Sequence, residues 1–218
     1  MAPVSPPDQT SVRRRTPAQA RSRKKVERIL DAAARLVVED GVEALTTRAI
    51  AQAAEIPVAS LYQYFADRDA VLLALVGRDM DEMDAQVLAD LAGLRRISVQ
   101  SLVETTMRAY LKVYARRPAF LQIWLRGRTN AAVYEFGRQH NERTATDLLA
   151  YAVDAGLTRA DTPLAAALLA VEIGDRVFQL AYEKDDHGDE FLIEEGIAMV
   201  ASYLSGYATQ AGIDGVDA

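Results

Sequence analysis

The chain has 218 residues, 50% of them apolar and 7% aromatic, which excludes wholesale disorder and suits an α-rich globular protein of one large or two small domains. Because cysteine is absent, disulfides and thiolate metal sites are excluded, and we expect a cytoplasmic protein. No apolar run approaches about 18 residues and the N-terminus lacks an apolar signal region, so we expect neither a membrane span nor a signal peptide.

The formal net charge of -6 is unevenly distributed along the chain. Residues 1–72 hold 11 Lys and Arg against 9 Asp and Glu, whereas residues 73–218 hold 14 against 22. The first 28 residues alone hold 8 basic and 2 acidic side chains. This asymmetry favours a DNA-binding head on an acidic body.

Residues 1–20 are predicted to form a disordered arm, because they hold four prolines and few apolar side chains. The basic residues in and just after this segment are Arg13, Arg14, Arg15, Arg21, Arg23, Lys24 and Lys25. One interpretation is a solubilising tail. The other is an arm that contacts DNA phosphates or enters the minor groove.

An amphipathic helix is predicted over residues 26–39, ending at Gly41. Residues 46–65 are then expected to form two short helices joined by a tight turn. Leu61 and Phe65 give the second of these one apolar stripe, and its other face carries small or uncharged side chains. A solvated helix face normally carries Lys and Glu, so this face is expected to lie against a partner such as the major groove of DNA.

At these residues the sequence resembles the helix-turn-helix of the tetracycline-repressor (TetR) family of bacterial transcription regulators. The matching segments are, in chain order, ILDAAARLVVEDG, LTTRAIA, SLYQYF and ADRDAVL. Two positions depart from the family pattern. Glu55 stands where the family usually has Gly in the turn, so it is expected to hold a positive φ. Pro57 stands where the family usually has Ser, and it is expected at the first helical position.

The resemblance implies an all-α homodimer with about nine helices per chain. It implies a DNA-binding domain over residues 21–72 and a helical ligand-binding and dimerisation domain over residues 73–218. The second short helix of each chain, the recognition helix, would bind one half-site of a palindromic operator in double-stranded DNA. We therefore expect a ligand-responsive transcriptional regulator of the repressor kind, controlled by a small-molecule effector.

DNA contacts are expected from both short helices and from the start of the next one. Glutamine pairs with adenine and small apolar groups contact thymine methyls, which suits the outer face of the second short helix. Arg68 follows the expected N-cap Asp67, and there its charge opposes the helix dipole, so an external anion is expected. The family places a phosphate contact at this position. The residues expected at base edges are Val58, Ala59, Ser60 and Gln63. The residues expected along the DNA backbone are Thr46, Thr47, Tyr62, Tyr64 and Arg68. Thr46 is also the expected N-cap of the first short helix.

After residue 68 the sequence predicts only helices. Their expected ranges are residue 68 to the low 90s, 98–117, 129–154, 162–184 and 191–207, with a short apolar piece over residues 120–125. The last two helices are apolar on more than one side, so they are expected to pack both inward and against a second subunit. Leu168 and Ile197 are expected in that interface.

A set of mainly apolar and aromatic side chains in the body has two interpretations, ordinary core or the wall of a ligand cavity. The resemblance implies such a cavity, enclosed by the middle helices, and cavities of this kind are mostly apolar with few polar groups. Asp175 and His140 could point into it, or could be paired or exposed. The candidate ligand-binding residues are Met107, Tyr110, Phe120, Trp124, Tyr134, Phe136, Arg176 and Phe178.

The sequence contains no catalytic constellation. His187 and Glu190 have metal-ligand spacing, but they lie in an acidic loop without a third ligand, so we expect no metal site. There is no Gly-rich phosphate loop and no serine in an elbow sequence, so we expect neither enzyme activity nor a cofactor. The alternative to a transcriptional regulator is a helical enzyme or small-molecule-binding protein in which the N-terminal head only packs against the body and does not bind DNA.

Overall fold

The computed structural model describes residues 17–126 and 131–217. The predicted all-α class is confirmed, with ten α-helices in the described residues against about nine expected. No helix in this part of the chain combines the length and apolarity needed to cross a lipid bilayer. The helices are α1 (Pro17–Asp40), α2 (Thr47–Ala53), α3 (Val58–Leu61), α4 (Arg68–Leu91), α5 (Val99–Arg116), α6 (Pro118–Phe120), α7 (Ala131–Asp154), α8 (Leu164–Ala181), α9 (Glu190–Ser205) and α10 (Gln210–Asp214).

Helix α1 begins well before the residue that the sequence pattern predicts. The predicted helix starts at Val26 and the predicted arm extends to residue 20, whereas α1 starts at Pro17. Proline suits the first helical position because its missing N–H has no helical partner there, and Ala, Gln, Arg and Lys are good helix formers. The basic run over residues 21–25 is therefore part of a helix. The rest of the predicted arm, residues 1–16, lies outside the described residues.

Helices α1, α2 and α3 pack around a shared set of buried apolar side chains. Ile29 of α1, Ile50 of α2 and Leu61 of α3 are fully buried in it. Helix α2 begins at its predicted N-cap, since Thr46 Oγ1 accepts a hydrogen bond of 3.1 Å from the N–H of Ala49. This packing holds α3 by one face and leaves its other face at the surface.

Helix α2 ends in a Schellman motif whose left-handed residue is Glu55. The N–H of Glu55 donates to the carbonyl of Gln52, and the N–H of Ile56 donates to that of Ala51, both at 3.0 Å. Glu55 has a φ of 52°, the only positive φ of a non-glycine among the described residues, so the expected conformation is confirmed. Helix α7 ends with the same hydrogen-bond pattern around Gly156, whose φ is 70°.

In the body, α4 packs on α5 and α7, and α8 packs on both α7 and α9. Helices α8 and α9 approach closely because Gly196 of α9 faces Val177 of α8. A Cβ atom at Gly196 would lie only 2.4 Å from Val177 Cγ1. The boundary predicted between residues 72 and 73 falls inside α4, so the head and the body share one continuous helix.

The buried apolar side chains form two clusters. The larger runs from the head along α4 and includes Met83 and Phe178. The smaller lies at the other end of α4 and includes Leu91 and Val99. Tyr110 of α5 packs against both clusters. The body therefore has a core in two parts, with α5 running past both.

Several short elements of the fold are absent from the sequence-based predictions. Helix α6 continues into a π-helical segment, Leu121–Arg126, and α10 follows α9. Strand β1 (Arg96–Ile97) pairs antiparallel with β2 (Val216–Asp217). Strands of two residues and helices of about one turn carry too little periodicity to be predicted from the sequence.

One of the two residues expected in an interface, Ile197, is not at the surface of the chain. It is 4% exposed and belongs to the larger buried cluster, so it could contact a second copy only after repacking. Leu168 is only partly exposed. Periodicity cannot tell which of two apolar stripes a wide apolar helix turns inward. The large apolar side chains that these helices leave exposed are Leu164, Leu169, Leu180, Phe191 and Met199.

Charged side chains join the head to the body, and we call them the junction cluster: Asp31, Arg78, Asp79 and Arg117. Arg78 of α4 lies 2.8 Å from an oxygen of Asp31 of α1 and 3.1 Å from an oxygen of Asp79. Asp79 is 1% exposed, and Arg117 lies 3.6 Å from the same oxygen. Burial raises the pKa of Asp79, although the Arg78 and Arg117 guanidinium groups favour its charged form.

Candidate nucleic-acid interface and ligand cavity

One face of α3 is exposed and carries no charged side chain. Leu61 and Phe65 are buried on the opposite side, as their spacing predicts. Helix α3 ends at Leu61, so Gln63 lies in the turn that follows it rather than on the helix itself. The outward side chains offer an amide and small apolar groups, which match the acceptors, donors and methyl groups of base edges. The exposed residues are Val58, Ala59, Tyr62 and Gln63, with Ser60 partly exposed.

Pro57 precedes α3 instead of occupying its first helical position. Its φ of -59° and ψ of 141° are those of an extended N-cap residue, and α3 starts at Val58. The carbonyl of Pro57 accepts the N–H of Ser60 at 2.8 Å. Proline therefore begins the helix through its carbonyl, without the side-chain cap that serine would supply.

Two of the residues expected to contact phosphates lie together at the surface. Thr47 Oγ1 and the Tyr62 hydroxyl are 3.2 Å apart, so one donates a hydrogen bond to the other. The accepting hydroxyl keeps its own proton free to donate to an anionic oxygen. Thr46 is also exposed, but its hydroxyl oxygen caps α2. The hydroxyl pair thus links α2 to the end of α3 beside the exposed face.

Arg68 and Tyr64 are only partly exposed. Arg68 Nη1 lies 3.5 Å from the carbonyl oxygen of Leu45, and its Nε lies 3.5 Å from Asp69 Oδ1. The ring centre of Tyr64 lies 5.8 Å from Lys25 Nζ of α1. Lys25 therefore places a positive charge beside Tyr64. The sequence analysis groups Lys25 with the basic residues of the arm, whereas it lies on α1. The helix-forming composition of residues 17–25 is the signal that would have located it.

A cavity of about 120 Å³ lies inside the body, between side chains of the two apolar clusters. Helices α4, α5, α7, α8 and α9 form its wall, together with α6 and the π-helical segment. Five of the eight candidate ligand-binding residues line it: Met107, Tyr110, Phe120, Trp124 and Phe178.

Tyr134, Phe136 and Arg176 are not among the cavity-lining residues. Tyr134 is 54% exposed, and the Phe136 ring packs against Gly77 of α4. Arg176 is exposed, and its Nη1 donates to Gln179 Oε1 at 3.1 Å. At about 100° per residue, Arg176 projects roughly opposite to the cavity-lining Gly174 two positions before it.

Trp124 is fixed in the cavity wall by hydrogen bonding and by close packing. Its Nε1 donates to Asp175 Oδ1 at 2.9 Å, and Gln179 Nε2 donates to the other carboxylate oxygen at 2.6 Å. The indole lies against Gly137 of α7, where a Cβ atom would be 1.7 Å from the ring. Glycine at this position therefore makes room for the tryptophan.

Three polar atoms of the cavity-lining residues lack partners. His140 Nε2, Thr106 Oγ1 and Thr158 Oγ1 are buried and make no hydrogen bond to any described residue. His140 Nε2 lies 3.5 Å from Asp84 Oδ1 without the geometry of a hydrogen bond. Burial lowers the pKa of His140, against the attraction of Asp84, so the ring is mainly neutral at pH 7. The two threonines have no sequence signal, since spacing does not show which hydroxyl points inward.

The two residues with metal-ligand spacing lie at the surface, one in a loop and one at the start of α9. His187 is exposed, and its backbone N–H donates to Asp185 Oδ1 at 2.8 Å. Glu190 is the exposed first residue of α9. Across the described residues, no three His, Asp or Glu side chains are close enough to hold a metal ion.

Comparison with known proteins matches both parts of the chain. A family model described as bacterial regulatory proteins, tetR family, matches residues 29–75. A second model, for a tetracyclin repressor-like C-terminal domain, matches residues 98–204. The HTH-type transcriptional repressor KstR of Mycolicibacterium smegmatis is 38% identical over 72 residues, which are 33% of this chain and 35% of that protein. The chain thus matches about a third of the length of this curated relative.

Solved structures match over nearly their whole length. A TetR-family transcriptional regulator from Streptomyces coelicolor is 30% identical with a TM-score of 0.70, covering 84% of this chain and 99% of that one. The fatty acid degradation regulator FadR from Bacillus halodurans has a TM-score of 0.67 at 18% identity, covering 87% and 97%, and supports the fold alone. With a helix-turn-helix and a helical body that both match, this chain belongs to the TetR family of bacterial transcriptional regulators.

Proposed function

We propose that the protein binds a palindromic DNA operator as a homodimer, represses transcription there, and leaves the operator when a small molecule fills the cavity. The observation that carries this proposal is the course of α4. Its first residue, Arg68, contacts the head at the Leu45 carbonyl, and Met80 and Met83 of the same helix line the cavity. A ligand that displaces these methionines would shift the head through one continuous helix.

The exposed face of α3 supports the DNA-binding part of the proposal. Each base pair presents a distinct set of donors, acceptors and methyl groups in the major groove, which admits one helix. Gln63 supplies an amide for such a set, and Val58 and Ala59 supply apolar contacts. The hydroxyls of Thr47 and Tyr62, and the ammonium group of Lys25 beside Tyr64, would contact phosphates and set the register of the helix.

The apolar side chains left exposed on α8 and α9 support the dimer. Phe191 is 70% exposed, and Leu164, Leu169 and Met199 are also exposed on these two helices. Monomeric proteins rarely leave large contiguous apolar patches in water, so a second copy of the same pair of helices is the natural partner. A symmetric dimer would present two α3 helices to two half-sites.

The test is selection of bound sequences from random DNA, followed by affinity measurements on the selected site. We expect a palindrome with two half-sites. Gln63→Ala should weaken binding by about 1–3 kcal/mol and relax the base preference at one position per half-site. Gln100→Ala, an exposed glutamine on α5 in the body, is the matched control and should bind as the unmodified protein does.

Two results would count against the proposal. If Gln63→Ala weakened binding equally on all sequences, Gln63 would not contact bases. If no DNA were selected although a small molecule bound the cavity, the alternative of a small-molecule-binding protein or enzyme would be favoured. By thermodynamic linkage, an effector that weakens DNA binding must itself bind more weakly to the DNA complex. Effector titrations with and without operator measure this directly.

A further inference from the structure

The unpartnered polar atoms of the cavity indicate which ligand it takes. A buried polar group without a hydrogen bond destabilises the folded state by about 1–3 kcal/mol. Three such groups around one cavity are unusual in a native protein and destabilise the fold when no ligand is bound. His140 is 4% exposed, and its Nε2 makes no hydrogen bond to any described residue, although it lies 3.5 Å from Asp84 Oδ1. The hydroxyl oxygens of Thr106 and Thr158 are also buried and make no hydrogen bond to any described residue. A ligand with its own donor or acceptor would satisfy them.

The rest of the cavity wall indicates the body of the ligand. Aromatic rings meet there at short distances, with Tyr114 stacked on Phe120 at 5.7 Å and in a T-shaped contact with Phe178 at 5.3 Å. Aliphatic and methionine side chains make up most of the remaining surface. A volume of about 120 Å³ approaches that of an engineered cavity of about 150 Å³ that binds benzene.

The charges of the described residues around the cavity disfavour an anion. The described residues that line it include no lysine and no arginine. Its one carboxylate, Asp175, already accepts hydrogen bonds from Trp124 Nε1 and Gln179 Nε2. A ligand carboxylate would enter without a counter-charge and would lose its hydration.

We infer that the cavity binds an uncharged, mainly apolar molecule with a hydroxyl or carbonyl group, which hydrogen-bonds to at least one of Thr106, His140 and Thr158. This inference names the ligand class for the site used in the proposed function. It is tested on the protein without DNA. It can therefore fail while operator binding stands, and loss of operator binding would not affect it.

Four probes of nearly equal size separate the possibilities: toluene, benzyl alcohol, benzoate and benzylamine. Trp124 is the only tryptophan of the chain and lines the cavity, so its fluorescence reports binding directly. Calorimetry and the shift in melting temperature supply independent measurements. We expect benzyl alcohol to bind tightest, roughly fivefold to tenfold better than toluene for one neutral hydrogen bond. Benzoate should bind at least about tenfold more weakly than benzyl alcohol.

Variants locate the hydrogen bond. Thr106→Val removes a buried unpaired hydroxyl with little change of shape, so it should keep the fold and abolish the preference for benzyl alcohol over toluene if Thr106 is the partner. Thr105→Val, on the same helix but outside the cavity, is the matched control. His140→Leu and Thr158→Val test the other two atoms in the same way.

A substitution at Gly174 shows that the probes enter this cavity. Gly174 lines it, and a Cβ atom there would meet no atom within 4 Å. Gly174→Val should therefore fill part of the cavity without a steric clash of its Cβ atom, and it should weaken the binding of all four probes. Tighter binding of benzoate or benzylamine than of benzyl alcohol would overturn the inference. So would an unchanged preference for benzyl alcohol in all three single variants.

Discussion

Glu55 and Gly156 occupy the same position of the same helix-ending motif, and exchanging their residue types should change stability in opposite directions. Glu55→Gly removes a side chain from a left-handed backbone that costs an ordinary residue about 1–2 kcal/mol. Glycine loses about 0.5–1 kcal/mol through its greater freedom in the unfolded chain. The contact of Glu55 with Arg28 is 3.9 Å long between side chains that are 89% and 55% exposed, so its loss should change little.

The net expectation for Glu55→Gly is an increase of about 0.5–1 kcal/mol in the free energy of unfolding. For a chain of this size, each kcal/mol raises the melting temperature by about 2–4 °C. Glu55→Ala removes the same ion pair but keeps the strained backbone, so it should stay near the unmodified protein. Gly156→Ala should lose about 0.5–1 kcal/mol, the same balance of backbone strain and chain entropy with the opposite sign, because its Cβ would meet no atom within 4 Å. Urea titrations of the three variants measure these free energies. A clear loss of stability in Glu55→Gly, with Glu55→Ala unchanged, would refute the reasoning.

Three further predictions follow from the contacts described above. Arg68→Ala should lower the slope of log affinity against log salt by about one unit if its guanidinium contacts a phosphate, and an unchanged slope with unchanged affinity would remove it from the DNA interface. Phe191→Asp should yield folded monomers in ultracentrifugation, whereas Glu194→Asp, an exposed charge on the same helix, should leave the dimer intact. Gly137→Ala should destabilise the fold by about 1–3 kcal/mol and change the fluorescence of Trp124, because the ring must leave its place and its bond to Asp175; an unchanged spectrum would contradict this.

Local chemistry made the head largely predictable from sequence. The caps at Thr46 and Asp67 follow from side-chain oxygens that reach the next free N–H groups, and the stripe of Leu61 and Phe65 follows from helical spacing. The positive φ of Glu55 followed from the resemblance, and its hydrogen bonds to the end of α2 explain it. Each of these features depends on residues a few positions apart.

The cavity was less predictable because its wall depends on contacts between distant helices. An aromatic residue such as Phe136 satisfies the same composition rule whether it lines a cavity or packs against Gly77 of a neighbouring helix. Hydroxyls such as that of Thr106 become significant only when the structure shows that they lack partners. The same limit applies to Ile197, whose apolar character fits a core and an interface equally well.

The junction cluster bears on how the molecule comes apart. The side chain of Arg78 is only 15% exposed and contacts Asp31 of α1 as well as Asp79. Because Asp79 lies next to Arg78 on α4, separating head from body would break the contact with Asp31 and leave Arg78 with one carboxylate fewer. This contact and the continuous helix α4 both couple the two segments that match separate family models. The segments should therefore melt as a single cooperative unit, and the isolated head should be less stable than its own buried side chains suggest.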